Sequence, residues 1–344
     1  MAEEVGGHAG EAAAADGVSR SASRTAPAGP SPFRVEADTL PVAKFADPNW
    51  TAAGEPRASV PLVRLETVWL NTGTLCNLAC ASCYIESSPT NDALVYLTHA
   101  AAVPFLDEAE SLATREIGFT GGEPFMNPDF LPLLEDTLER GFAALVLSNA
   151  MKPMRRHEAA LLALREEYAE KLVLRISLDH HTQAVHEGER GPRSWAPAMQ
   201  GLRWLSDHGF ALAVAGRMVP GEDERAAREH YAALFAREGI AVDAHDPARL
   251  VLFPEMDAAK DIAEITTGCW SILGKSPADV MCATSRMVVH RKGEPRPRVA
   301  ACTLIPYHHD FDLGDTLAEA AGEVALNHPH CARFCVLGGA SCSA

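Results

Sequence analysis

The chain has 344 residues, of which 47% are hydrophobic and 22% charged, and its formal net charge at pH 7 is −16. These are ordinary values for a globular protein with a sizeable core, and so acidic a surface repels phosphate backbones, so we expect no nucleic-acid partner. We find no apolar run of the roughly 20 residues that cross a bilayer and no secretory signal, which predicts a cytoplasmic protein without a membrane partner. Nine cysteines in a reducing compartment are more typical of metal binding or catalysis than of disulfides.

The first 59 residues differ in composition from the rest of the chain. Residues 1–32 are rich in alanine, glycine and serine and contain almost no large apolar side chains. Such a segment cannot bury enough surface to offset the entropy of ordering it. We therefore predict that residues 1–59 form a disordered leader followed by an arm that lies on the folded domain.

Apolar segments alternate with helical ones from Val60 onward. The predicted strands are 65–70, 116–120, 143–147, 172–177, 211–215 and 250–253. The predicted helices are 92–113, 129–140, 158–166, 196–208 and 224–238, with Pro104 in the first turn of the second part of the 92–113 segment. This alternation predicts an α/β fold with a parallel sheet, in which chemistry gathers at the carboxyl ends of the strands.

Three cysteines follow the first predicted strand at once, as Cys76, Cys80 and Cys83, with Tyr84 after them. Three thiolates in C-x3-C-x2-C spacing on one loop can bind three irons of a four-iron cluster. They leave one iron open to an outside ligand, which is a catalytic rather than a structural feature. The alternative is a zinc site, but zinc knuckles usually pair C-x2-C with a second ligand pair nearby. Only His99 follows within about forty residues.

This loop resembles the signature of the radical S-adenosylmethionine (SAM) superfamily. The resemblance implies a 4Fe–4S cluster on the three cysteines, with SAM chelated by its open iron. It implies reductive cleavage of SAM, and a 5′-deoxyadenosyl radical that abstracts hydrogen from the substrate. It also implies an electron donor such as flavodoxin or ferredoxin.

Glycines and polar residues end the predicted strands and resemble the family's SAM-binding positions. Gly121-Gly122-Glu123 resembles the motif that faces the SAM amino group, and Arg217 would pair with the SAM carboxylate. The resulting SAM-binding prediction comprises Tyr84, Gly121, Gly122, Glu123, Ser148, Asn149, Ser177, Asp179 and Arg217. We interpret the adjacent His180 and His181 as solvated or locally bonded. The run His186-Glu187-x-x-Arg190-Gly191 resembles one in peptide-modifying relatives, and we interpret it as a capping and loop element.

The other six cysteines all lie near the C-terminal end of the sequence, at Cys269, Cys282, Cys302, Cys331, Cys335 and Cys342. Residues 287–290 and 299–302 predict a hairpin among them. This region resembles the SPASM extension of radical SAM enzymes, which has seven cysteines, or the shorter twitch extension. The resemblance implies one auxiliary 4Fe–4S cluster, held by Cys269, Cys282, Cys302 and one of the final three. A zinc ribbon and free thiols are the alternatives.

We therefore predict a partial (βα)6 TIM-type barrel over residues 60–255 and a small cysteine-rich, SPASM/twitch-like cluster domain over 256–344. The predicted function is radical SAM chemistry on a small molecule or a peptide. The first 59 residues are shorter and richer in alanine and glycine than the leader-binding domain of many peptide maturases. This favours a small molecule or a leader-independent peptide. A non-catalytic zinc or redox-sensing protein is the alternative.

Overall fold

The computed structural model describes residues 44–254 and 261–339. Their strands are β1 (Ser59–Val60), β2 (Thr67–Asn71), β3 (Glu116–Thr120), β4 (Ala143–Ser148), β5 (Leu172–Ser177), β6 (Ala211–Arg217), β7 (Leu250–Phe253), β8 (Ser285–Val289), β9 (Arg298–Ala300), β10 (Asp312–Gly314) and β11 (Val324–Ala325). Their α-helices are α1 (His99–Ser111), α2 (Phe130–Glu139), α3 (Lys152–Arg155), α4 (Glu158–Tyr168), α5 (Gln183–Arg190), α6 (Trp195–Asp207), α7 (Glu224–Glu238) and α8 (Cys269–Leu273). None of these helices combines the length and the apolar character needed to cross a bilayer.

One nine-stranded sheet organises the described residues, in the order β10-β9-β8-β2-β3-β4-β5-β6-β7. The seven strands from β8 to β7 run parallel, and β9 and β10 continue the sheet antiparallel. Strands β2 to β7 are the six that the sequence predicted, so the parallel α/β prediction is confirmed. Their near-continuous apolar sequences, such as Ala143–Leu147 before Ser148, fit strands covered on both faces.

The helices between the strands bury their apolar sides in the largest core of the protein. Phe119 of β3 meets Phe130 of α2 edge to face, with ring centroids 5.3 Å apart. Helix α7 shows how the sequence sets its ends. The Asp223 side chain accepts a hydrogen bond from the amide of Ala226, and Gly239 ends the helix in the left-handed conformation at φ 67°.

Two helix predictions are wrong in detail. Helix α1 begins at His99 rather than at residue 92, because the Thr98 side chain caps the amide of Ala101 and Leu94 is drawn into an antiparallel bridge with Arg291. Pro104 therefore lies inside α1 instead of in a first turn. The run that ends α5 was interpreted as a capping and loop element, because no apolar periodicity marks it. Gly191 does cap this helix, and only His186 of its residues is buried.

The C-terminal region adds to the same sheet. Strand β8 pairs in parallel with β2, and β8 and β9 form the hairpin that the sequence predicted. A second core joins this region to the arm before β2, since β1 pairs with β11. Arg57 of that arm is buried, and its guanidinium lies 2.5 Å from the Glu264 carboxylate. The predicted disorder of residues 1–32 lies outside the described residues.

Candidate functional site

The carboxyl ends of β3 to β7 surround a solvent-open cleft that encloses about 910 Å³. The three cysteines of the Cys76–Cys83 loop line it, as do all the predicted SAM-binding residues except Glu123. Those residues are Tyr84, Gly121, Gly122, Ser148, Asn149, Ser177, Asp179 and Arg217. The tertiary structure therefore brings together groups from four strand ends that are far apart in the sequence.

Hydrogen bonds shape the cysteine loop and fasten it to the sheet. The amide of Leu78 donates to Cys76 Sγ at 3.4 Å, and the amide of Ser87 donates to Cys83 Sγ at 3.2 Å. The Tyr84 hydroxyl lies 2.6 Å from Thr120 Oγ1 at the end of β3. Burial raises the pKa of the Cys80 thiol to about 12. Buried thiolates therefore need a cationic metal centre to stabilise them.

The two glycines of the Gly121-Gly122 turn let this turn pack directly against the cysteine loop. The amide of Gly122 donates to the carbonyl of Gly73 at 2.8 Å. Gly121 has φ 132°, a conformation that glycine adopts readily. A Cβ on Gly122 would lie only 2.2 Å from the carbonyl oxygen of Leu75, the residue before Cys76. Packing thus requires glycine here, in addition to any exposure of the backbone to a ligand.

Glu123 lies beneath the cleft and holds two of its lining residues. Its carboxylate accepts hydrogen bonds from Ser148 Oγ and from the amide of Asn149, both at 2.9 Å. Burial raises the pKa of Glu123 to about 7, although these hydrogen bonds oppose the shift. Asn149 Nδ2 in turn donates to Asn77 Oδ1 on the cysteine loop at 2.9 Å. One polar network therefore connects the ends of β3 and β4 to the cysteines.

A buried ion pair forms the opposite wall of the cleft. Arg190 Nε and Nη2 donate to the two carboxylate oxygens of Asp179 at 2.7 and 3.2 Å. Burial alone would raise the pKa of Asp179, but the charge and hydrogen bonds of Arg190 hold it below its ordinary value. Arg217 lies 3.3 Å from the Glu189 carboxylate. The sequence interpretation missed Arg190 as a residue that lines the cleft. The signal that could have found it was its position in the run from His186 to Gly191, which resembles one in peptide-modifying relatives.

The adjacent histidines point into another cluster, since they are absent from the cleft lining. The rings of His180 and His181 have centroids 3.9 Å apart, and that of His230 lies 4.5 Å from His181. Burial, followed by the charges of these two neighbours, lowers the pKa of His181 to about 4. The interpretation of this pair as locally bonded fits the contact between His180 Nδ1 and Thr182 Oγ1, at 2.8 Å.

Four of the six C-terminal cysteines line a second, smaller pocket. They are Cys282, Cys302, Cys331 and Cys335. The last two lie four positions apart in a π-helical turn, Cys331–Val336, whose i→i+5 hydrogen bonding places residues four apart on nearly the same side. Cys269 packs against the same apolar core without lining the pocket, and Cys342 lies outside the described residues. Burial raises the pKa of Cys331 to about 12 and that of Cys282 to about 11.

The spacing of the sulfur atoms can be compared with the spacing around a zinc ion. Among the described residues, no cysteine belongs to a group of three ligand atoms that all lie within 4.8 Å of one another. Around a tetrahedral zinc ion with bonds of about 2.3 Å, neighbouring sulfur atoms are only about 3.8 Å apart. The eight described cysteines form no disulfides among themselves. Their sulfur atoms are therefore not already arranged around a centre of the size of one zinc ion.

Comparisons with known proteins agree with this site. Residues 70–234 match the Radical SAM superfamily. AlbA, the antilisterial bacteriocin subtilosin biosynthesis protein of Bacillus subtilis (strain 168), is 34% identical over 141 residues, which cover 41% of this chain and 30% of AlbA. Mycofactocin maturase MftC of Mycobacterium ulcerans (strain Agy99) is 29% identical over 136 residues, which cover 40% of this chain and 35% of MftC. The matched segments thus span about a third of the length of these relatives.

A solved structure shares the fold. Streptococcus suis SuiB, in a crystal structure with its precursor peptide SuiA, superposes with a TM-score of 0.53 at 12% identity. The superposition covers 76% of this chain and 65% of SuiB.

Together, the parallel sheet and the three-cysteine loop at its carboxyl edge define the class of radical SAM proteins. The chain carries a radical SAM domain over residues 70–234, which indicates an enzyme. This domain implies a 4Fe–4S cluster and SAM as cofactors, and the predictions of superfamily and of partial-barrel fold are confirmed.

Proposed function

We propose that this enzyme binds a 4Fe–4S cluster through Cys76, Cys80 and Cys83 and uses SAM to abstract hydrogen from a peptide side chain. The observation that carries the proposal is the convergence of this cysteine loop and five strand ends on one cleft. When bound and reduced, the cluster supplies the electron that cleaves the SAM sulfonium bond to give the 5′-deoxyadenosyl radical. Flavodoxin or ferredoxin is the proposed electron donor.

The chain's own residues would bind and orient SAM. The turn at Gly121-Gly122 offers backbone groups to the SAM amino group, and Glu123 fixes Ser148 and Asn149 from below. Ser177, Asp179 and Arg217 would face the ribose and carboxylate, on the wall that the Asp179–Arg190 ion pair makes rigid. Because the pair is bidentate and buried, its geometry changes little while the ligand binds.

We also propose one auxiliary 4Fe–4S cluster, in the pocket of Cys282, Cys302, Cys331 and Cys335. Four thiols line this pocket, and four cysteines are the usual protein ligands of such a cluster. This set replaces the one predicted from the sequence, because Cys269 lies off the pocket. The proposed cluster domain starts at residue 256, and the N-terminal arm packs onto it because β1 pairs with β11.

A peptide is the proposed substrate because of the relatives and of one further cavity. AlbA acts in bacteriocin biosynthesis and MftC is a maturase. A largely apolar pocket shares Tyr84, Thr120, Leu147 and Phe253 with the SAM cleft and also contacts Leu304 and Phe334, beside the C-terminal cysteines. A substrate side chain in this pocket would lie between the two proposed clusters.

The test is anaerobic reconstitution with iron and sulfide, followed by iron counting and a 5′-deoxyadenosine assay with SAM and reductant. We expect about eight irons in the wild type. The variant with Cys76, Cys80 and Cys83 all changed to alanine should keep about four irons and form no 5′-deoxyadenosine. Zinc binding without SAM cleavage in the wild type would support the zinc or redox-sensing alternative instead.

The ligand set and the substrate each need a separate arm of this test. Cys331→Ala with Cys335→Ala should lose about four irons, whereas the matched Cys269→Ala should keep about eight. Equal losses in the two variants would contradict the proposed set. Deuterium carried from a labelled peptide into 5′-deoxyadenosine would identify a peptide substrate. Transfer from a small metabolite alone would refute it.

A further inference from the structure

Two histidines and a glutamate, none of them used by the proposed radical chemistry, lie together at the carboxyl edge of the sheet. His180 and His181 follow β5, and Glu222 lies between β6 and α7. Their side chains are only 7%, 14% and 14% exposed. His180 Nε2 is 3.5 Å from Glu222 Oε2, and His181 Nδ1 is 3.8 Å from Glu222 Oε1. One ligand atom from each of the three residues lies within 4.8 Å of the others.

Two atoms of this cluster lack a hydrogen bond. Within residues 44–254 and 261–339, His181 Nδ1 and Glu222 Oε2 are buried and find no hydrogen-bond partner. Buried polar atoms are nearly always paired with protein, water or an ion. A cation between the imidazoles and the carboxylate would pair both atoms at once.

We propose that His180, His181 and Glu222 form a site for a zinc-type divalent cation, distinct from both cysteine sites. Two imidazoles and one carboxylate are a known donor set for zinc, and they leave a fourth position for water. The His230 ring packs against the His181 ring at 4.5 Å between centroids, with the two planes tilted by 36°. This inference does not depend on the proposed function.

The contacts of His180 with Thr182 set one requirement on cation binding. Both Thr182 Oγ1, at 2.8 Å, and the Thr182 amide, at 3.1 Å, contact its Nδ1. For Nε2 to bind the cation, Nδ1 must carry the ring proton and donate a hydrogen bond to Thr182 Oγ1. Binding therefore breaks the hydrogen bond from the Thr182 amide.

The cation would link the loops that follow β5 and β6. Asp179 lies in the first of these loops, Arg217 is the last residue of β6, and the Arg217 amide donates to the Asp179 carbonyl at 2.9 Å. A bound cation would therefore hold these two loops, and with them one wall of the cleft, in a fixed position.

The experiment uses tag-free protein with its clusters reconstituted and adds zinc or, as a spectroscopic probe, cobalt. We compare the wild type with Glu222→Gln and His181→Ala. The matched control is His245→Ala, since the His245 side chain is 55% exposed outside the cluster. We expect one zinc ion per wild-type or control chain and a higher melting temperature on binding. Glu222→Gln and His181→Ala should each bind zinc at least about tenfold more weakly than the wild type.

Cobalt distinguishes this site from the cysteines, because thiolate ligands give charge-transfer bands that imidazole and carboxylate ligands do not. Circular dichroism checks that the Glu222→Gln and His181→Ala proteins fold. Zinc binding of equal strength in the wild type and a folded Glu222→Gln protein would overturn the proposal, as would a purely thiolate cobalt spectrum or no zinc binding in the wild type. None of these three outcomes depends on SAM cleavage.

Discussion

A methyl group added at Gly122 tests how the cysteine loop is positioned. The new Cβ of Gly122→Ala would lie 2.2 Å from the carbonyl oxygen of Leu75, whereas real Cβ contacts begin near 3.0 Å. The turn and the loop must therefore separate by about 0.8 Å, and backbone atoms on both sides resist the movement. Because Cys76 follows Leu75 directly, the displacement reaches the first proposed cluster ligand.

The expected loss is larger for activity than for stability. Overpacking of this kind costs about 1–3 kcal/mol of unfolding free energy. A misplacement near 1 Å can lower a reaction rate by about 100-fold. We therefore expect 5′-deoxyadenosine formation by Gly122→Ala to fall by about 100-fold. The assay measures 5′-deoxyadenosine, bound iron and the urea-unfolding midpoint of the same anaerobic preparation.

Gly188→Ala is the matched control, because a Cβ there meets nothing within 4 Å and Gly188 lies in helix α5. It should leave the rate within about twofold and stabilise the helix by about 1 kcal/mol or less. Equal rates and equal iron contents in the two variants would refute the argument from close packing.

Three further substitutions test the packing around the cleft. Asp179→Asn leaves the buried Arg190 charge unpaired and should lower the unfolding free energy by about 3–5 kcal/mol, measured by urea unfolding; a loss below about 1 kcal/mol would contradict the ion-pair argument. Burial lowers the pKa of His186 from 6.5 in the unfolded chain to about 4 in the folded protein. The contribution of neutral His186 to the unfolding free energy is therefore fully present above pH 6.5 and is lost as the pH drops toward 4, by at most about 1.4 kcal/mol per pH unit. His186→Phe should remove that slope, and an unchanged slope would assign it to other groups. Gly118→Ala would place a Cβ 2.4 Å from the Trp69 ring and should lower the unfolding free energy by about 1–3 kcal/mol. The displaced ring should also shift the tryptophan fluorescence, and an unchanged spectrum would contradict this expectation.

Much of the fold follows from local patterns. The six strands β2 to β7 were predicted because buried parallel strands read as short apolar runs between turn residues. Helix α7 was predicted with its observed ends, since Asp223 and Gly239 are strong capping signals. Helix α1 was predicted too long, because the bridge between Leu94 and Arg291 joins segments far apart in the chain.

The sequence by itself determined the three-cysteine loop, the Gly121-Gly122-Glu123 turn and the polar strand ends, because spacing and turn chemistry are local properties. Only the tertiary structure decided which of these groups share a cleft and that Arg190 joins them through Asp179. It also brought Cys331 and Cys335 to Cys282 and Cys302 and left Cys269 aside. The physical reason is that these contacts depend on how the sheet, the π-helical turn and the loops pack together, and no local pattern encodes that packing.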